Sequence, residues 1–187
     1  MNDPTIPSPS TMHSKITGDF GEHLVLYWLS KLGYESLHVD HSGIDILARD
    51  PRKKMEPLGI SVKGRSRTIK NSNDSLKINA DNITKIVSAC DSFRCAPYFA
   101  IVMDGIHYNN RIKLFVFLFP MDDVFTIVTS KFSSTQDLID QYSLADSNRR
   151  NNMSINWAMN QKAIDAYKTD KRIHYFELTY GDSHWVL

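Results

Sequence analysis

From residue 20 to residue 32, apolar side chains return at the spacing of one helical face: Phe20, Leu24, Val25, Tyr27, Trp28, Leu29 and Leu32. Thr17 stands where an N-cap is expected, and Gly33 where such a helix stops. Three short strand patterns follow, at residues 34–39, 44–49 and 58–65. The charged stretch DPRKKMEP between the last two marks an antiparallel hairpin. This order predicts an α/β domain in which the helix covers a sheet.

Further along, residues 66–79 read as a polar, mobile loop, and residues 80–93 as a helix buried along Ile83, Ile86 and Val87. Strong strand patterns at residues 97–103 and 111–119 are separated by DGIHYNN, whose Asp104-Gly105 and Asn109-Asn110 pairs are turn signals. Beyond Pro120 the pattern predicts short helices at 122–128 and 135–142, a polar loop at 148–152, a helix at 159–168 and a closing strand at 173–179. Residues 1–16, with Pro4, Pro7 and Pro9 among Ser and Thr, read as a flexible arm, and residues 17–187 as one domain.

Composition narrows the function classes. Hydrophobic residues make up 42% of the chain, enough for a core and too much for wholesale disorder. A net charge of +1 gives no overall field that would recruit nucleic acid or an anionic membrane, so any such attraction comes from local clustering. The longest apolar runs, such as residues 114–119, fall far short of the ~20 residues of a membrane helix. The N-terminus lacks the pattern of a secretory signal, and Cys90 and Cys95 read as free buried thiols, so a cytoplasmic location is expected. Neither glycine-rich nucleotide-binding pattern occurs, and no nucleotide cofactor is expected. Trp28, Trp157 and Trp185 read as packing residues; His38 and His41, flanking Asp40, either reach the mouth of a cleft or, as expected, serve as surface-loop residues.

One acid breaks the helix's amphipathic pattern. At about 100° per residue from Phe20, Leu29 falls near 180°, Glu22 near 200° and Leu26 near 240°, so the carboxylate lies within the apolar arc. It either faces inward and needs a cationic partner, or reaches solvent past Leu26. In the hairpin, alternation puts Ile44, Ile46 and Ala48 on one face and Asp45 on the other. In the following strand Ser61, Lys63 and Arg65 share a face. A turn centred on Lys53 or Lys54 sets Asp45 opposite Ser61 or Lys63, which is either an assembled acid, hydroxyl and ammonium or a surface cross-strand pair.

The segments GDFGEHLVLYWLSKLGY, HSGIDILARD and LGISVKGRSR, in that order, resemble the PD-(D/E)XK nuclease superfamily, and are similar to archaeal Holliday-junction resolvases and restriction-endonuclease-like domains. The resemblance covers residues 17–67 and implies a restriction-endonuclease-like mixed β-sheet flanked by α-helices. It implies catalytic roles for Glu22, Asp45, Ser61 and Lys63, with Glu22 and Asp45 binding Mg²⁺ or Mn²⁺ and Lys63 holding or polarising the attacking water. Ser61 stands where the motif has its second acid; a hydroxyl is a weaker ligand, and Glu22 would restore the charge if it approached the same ion. Metal-assisted phosphodiester hydrolysis needs such a set, oxygen ligands with a compact cation beside the phosphate.

Between residues 49 and 70 eight basic side chains face two acidic ones, a local charge of +6, whereas residues 122–146 carry −4. Arg65, Arg67 and Lys70 continue beyond the Lys63 face and are the expected DNA contacts, with binding that falls as salt rises. The expected function is a metal-dependent nuclease acting on DNA. Its rival is a nucleic-acid-binding module that kept the fold and lost cutting with the second acid. The apolar end Trp185, Val186 and Leu187 could supply the surface of a homodimer.

Overall fold

A computed structural model describes residues 11–39, 41–66, 75–109 and 111–179. Helix α1 spans His13–Lys31, and strands β1 (Glu35–His38), β2 (Ile46–Arg49) and β3 (Leu58–Ser66) follow. Next come β4 (Ser75–Asn79), α2 (Ala80–Phe93), β5 (Ala96–Tyr108) and β6 (Arg111–Pro120). The chain continues through α3 (Val124–Ile127), α4 (Thr135–Leu144), α5 (Ser147–Asn151), β7 (Ser154–Ala158), α6 (Gln161–Thr169) and β8 (His174–Thr179). Six strands form one mixed sheet in the order β1-β2-β3-β5-β6-β8, in which only β3 and β5 are parallel, and β4 pairs with β7 in a separate ribbon. The parallel pair is what demands a crossover, which α2 supplies. The result is a mixed sheet flanked by helices, consistent with the restriction-endonuclease-like arrangement expected.

The sheet divides the core in two. Val25, Trp28 and Leu29 of α1 pack on Ile46, Ala48, Ile60, Val62, Ala100 and Val102. The other face carries Phe99, Ile101, Phe115, Phe117 and Phe119, covered by Ile83 and Ile86 of α2, Trp157 of β7 and Ile164 of α6. Alternation holds along β5 from Phe99 to Met103 and along β6 from Leu114 to Phe119, with successive residues feeding opposite cores.

Several expectations need correction. Helix α1 starts at His13, one turn before Thr17, whose hydroxyl instead donates to the His13 carbonyl. Phe20, Tyr27 and Leu32 are exposed, so the buried stripe of α1 is narrower than the pattern implied. Of the loop expected at 66–79, residues 67–74 lie outside the described residues and Ser75–Asn79 is a strand, because Leu76 and Ile78 insert into the core beside β7. Ser147–Asn151 is a short helix capped by Asp146. Asp104-Gly105 is not the hairpin turn: β5 continues through it as a bulge, and Asn109 takes the left-handed conformation at the turn. Trp185, Val186 and Leu187 lie outside the described residues, so the expected dimer surface does too.

Candidate active site

The site residues converge where β2 begins. The β2–β3 register pairs Ile46 with Ile60, which continues to Asp45 beside Ser61, one of the two registers the hairpin composition allowed. Upstream of Asp45 the alternation breaks. Ile44, expected on the face of Ile46, is buried in the opposite core, because Gly43 at φ 113° presses against the backbone of Lys85 in α2. An added Cβ there would lie 2.4 Å from the Lys85 carbonyl oxygen, so only glycine fits. Asp45 sits at this break, where β2 peels away from β3 and the Val62 amide faces no strand partner. The carboxylate takes that place: Val62 N–H donates to Asp45 Oδ2 at 2.6 Å, and Ser61 Oγ approaches the same oxygen at 3.4 Å.

Ser61 is buried at 1% exposure beside Phe99, its register partner. Lys63 pairs with Ile101 and Arg65 with Met103, so Ser61, Lys63 and Arg65 share the α2 side of the sheet, as alternation required. Lys63 is half-buried and Arg65 exposed. Arg67 and Lys70 lie outside the described residues.

Glu22 arrives from the other side. Gly21 is buried between α1 and the sheet, where a Cβ would sit 3.5 Å from Val102 and 3.6 Å from Val62. This packing of α1 on the sheet brings Glu22, with 22% of its side chain exposed, to the sheet edge rather than into solvent past Leu26. There His38 Nε2 meets Glu22 Oε2 at 2.6 Å. His38 is the last residue of β1 and pairs with Ile46, which packs on the α1 side, so cross-strand neighbours point the same way. His38 is thus a strand residue in contact with a candidate catalytic acid, and not the surface-loop residue expected. His41 remains in the loop and bonds the Ser42 carbonyl.

Electrostatics ties the two sides together. Burial pushes the Asp45 carboxyl above its ordinary range; the Lys63 ammonium and the Val62 amide pull it down, while the Glu22 carboxylate pushes it further up. Asp45 therefore feels both Lys63 and Glu22, and the cationic help present falls short of what its burial demands. A divalent cation fits that deficit. Asp45 Oδ1 and Glu22 Oε1 have no hydrogen-bond partner among the described residues, each carboxylate being held by its other oxygen. Oxygen donors of this kind suit Mg²⁺ or Mn²⁺. Among the described residues there is no cluster of three or more His, Cys, Asp or Glu side chains placed to hold a metal.

Much of the basic hairpin is engaged elsewhere. Arg49 pairs with Glu35 at 2.7 Å, and Arg52 binds both oxygens of buried Asp50 and the Leu32 carbonyl at the end of α1. These contacts hold the Asp50 carboxyl below its usual range and pin the hairpin to the helix, a structural use of residues counted in the basic cluster. Cys90 and Cys95 are free and buried against Gly59, and burial raises both thiols, which marks them as unreactive.

No protein-family model and no curated protein matches the chain. Among solved structures it is similar to a Holliday junction resolvase from the archaeal hyperthermophile Archaeoglobus fulgidus, with 26% identity and a TM-score of 0.37 over 46% of this chain and 64% of that chain. Less than two thirds of the resolvase is therefore matched. No described helix is long and apolar enough to cross a membrane.

Proposed function

We propose that this domain is a divalent-metal-dependent nuclease that hydrolyses phosphodiester bonds in DNA, with Asp45, Glu22, Lys63 and Ser61 as its site. The observation that carries the reading is Asp45 at the open end of β2, its Oδ2 accepting from the Val62 amide and beside the buried Ser61 hydroxyl, with Lys63 on the same strand face. Glu22 and Asp45 would hold Mg²⁺ or Mn²⁺ through their unpartnered oxygens. A bound ion of this kind polarises a phosphate and lowers the pKa of a coordinated water. Lys63 stands on the same strand face as Ser61, where its ammonium offsets negative charge on the phosphate oxygens. Ser61 keeps Asp45 oriented through the buried hydroxyl. Arg65, with Arg67 and Lys70, would neutralise flanking phosphates.

Serine in the place of a second acid favours one other reading, a nuclease-fold module that binds DNA without cutting it. A cleavage assay on plasmid and branched DNA with Mn²⁺ separates the two. Cutting by the wild type that is lost in Asp45→Ala and Lys63→Ala supports the nuclease, and cutting retained in both variants refutes the site. DNA binding that weakens with salt, without cutting by the wild type, supports the module. A homodimer, which would place two sites on one duplex, is tested by sedimentation of the full chain at micromolar concentration; a monomer there excludes it.

A further inference from the structure

We infer that His38 is a positioning residue of the metal site, holding the Glu22 carboxylate by one oxygen so that the other is presented to the ion. The inference rests on the nuclease reading above and assigns a role to a side chain outside the resembled motif. An ionised carboxylate only accepts hydrogen bonds, so His38 Nε2 carries the hydrogen that bridges the 2.6 Å to Glu22 Oε2. Oε1 is left without a partner among the described residues. Asp45 repeats the arrangement: Oδ2 is held by the Val62 amide and Ser61, and Oδ1 is left over. Both candidate ligands thus have one oxygen tied to the protein and one available.

His38 is itself braced. Its ring stacks on that of His23, with centroids 6.0 Å apart and planes 25° apart. His23, one residue after Glu22, is fixed through Nδ1 on the Asp19 carbonyl at 2.7 Å. The carbonyl only accepts, so this contact sets the His23 ring orientation from within α1. Backbone pairing fixes the other end of the contact: His38 pairs with Ile46, and the next amide, Val39 N–H, donates to the Asp45 carbonyl at 2.8 Å. The edge strand that carries His38 is therefore hydrogen-bonded to the residue that carries the second ligand. An unanchored glutamate would lose side-chain freedom on binding an ion, and the histidine removes that cost in advance.

The test measures Mn²⁺ binding to the full chain without DNA, by the electron paramagnetic resonance signal of free Mn²⁺. His38→Ala should weaken affinity about 10-fold, in the range typical of lost partners to metal ligands. His38→Gln, whose amide nitrogen stands close to the place of Nε2, should stay within about twofold of wild type. In a Glu22→Gln background, His38→Ala should cause no further loss, because the residue acts only through Glu22. A His38→Ala variant that binds Mn²⁺ as tightly as a competent wild type overturns the inference and leaves the nuclease reading standing. Equal losses in His38→Ala and His38→Gln, or an undiminished loss in the Glu22→Gln background, overturn it as well. A wild-type chain that binds no Mn²⁺ overturns both.

Discussion

On the α1 side the sheet presents Ile46, Ala48, Ile60, Val62, Ala100 and Val102, and on the α2 side Phe99, Phe115, Phe117 and Phe119. Aliphatic side chains on the first face seat α1 at ordinary contact distance, with a methyl's room left at Gly21. The second face is thicker in side chains, with rings filling the space under β7 and α6, while α2 meets the sheet tightly at Gly43 and Gly59. Trp157 lies flat on Phe119, with centroids 4.9 Å apart and 5° between planes, and stacks on Tyr167 at 4.0 Å. The difference assigns different work to the two faces. The thin side delivers Glu22 to the sheet edge, whereas the thick side supplies bulk behind Ser61 and Lys63.

The largest effect is therefore expected on the thick side. Trp157→Ala should cost about 3–5 kcal/mol, the range for deleting a buried aromatic, read as a drop in the denaturation midpoint. Trp157→Phe should cost far less, since the buried indole N–H has no hydrogen-bond partner to lose. If both variants were equally harmed, ring stacking would not be what fills this face. Next comes Gly59 on β3. A Cβ there would lie 2.5 Å from Cys95 Sγ and 2.6 Å from Cys90 Sγ, so Gly59→Ala should destabilise by about 1–3 kcal/mol through overpacking. Adding Cys95→Ala should recover part of that loss; an unchanged loss would place the strain elsewhere.

The sequence made the thin side legible and the thick side only in part. The hairpin could be read to within two registers, because its charged tip places the turn near Lys53 or Lys54 and alternation fixes the faces; the structure takes the one that sets Asp45 beside Ser61. Helix α2 could be read from its apolar stripe, and it spans the residues expected. Strands β4 and β7 could not, because SLKIN and SINWA each bury only two side chains and become strands by pairing with each other across a long sequence separation. Nor could the side taken by Ile44, which depends on Gly43 meeting the backbone of a helix some forty residues away. The contact of His38 with Glu22 was hidden for a related reason. It requires both the β1–β2 register and the placement of α1, although a histidine paired opposite an apolar residue of β2 was a usable hint.

A smaller effect separates structure from chemistry at the junction of the two faces. The Asp45 carboxyl titrates above its ordinary value of 3.8, so the folded chain keeps this proton where the unfolded chain has released it. Stability from this group is thus present in acid and falls as pH rises from the ordinary carboxyl value through the raised one. Asp45→Asn retains an acceptor for the Val62 amide and removes the charge. Its thermal midpoint should equal that of wild type at the acid end of the window and exceed it at neutral pH. Asp45→Ala leaves the Val62 N–H without its acceptor and should lose about 1–3 kcal/mol. An Asn variant less stable than wild type at neutral pH would mean that Lys63 and the Val62 amide fully compensate the carboxylate, leaving no deficit for a cation to fill.

The smallest effect has the opposite sign on the thin face. Gly21 lies inside α1, where glycine costs about 0.5–1 kcal/mol relative to alanine because its backbone loses more freedom on folding. The added methyl of Gly21→Ala would meet Val102 at 3.5 Å and Val62 at 3.6 Å, ordinary contact distances that require no movement of the sheet. Helix propensity should therefore decide the outcome, and the variant should be more stable by up to about 1 kcal/mol, seen as a small rise in the thermal midpoint. Gly59→Ala, its counterpart on the other face, fills space already occupied by two sulfur atoms and should move the midpoint down. Opposite signs for the same one-methyl change would establish that the α1 interface has room where the α2 interface has none. A loss in both would show that α1 is already seated as tightly as the sheet allows, and that Glu22 is held at the edge by backbone contact as well as by His38.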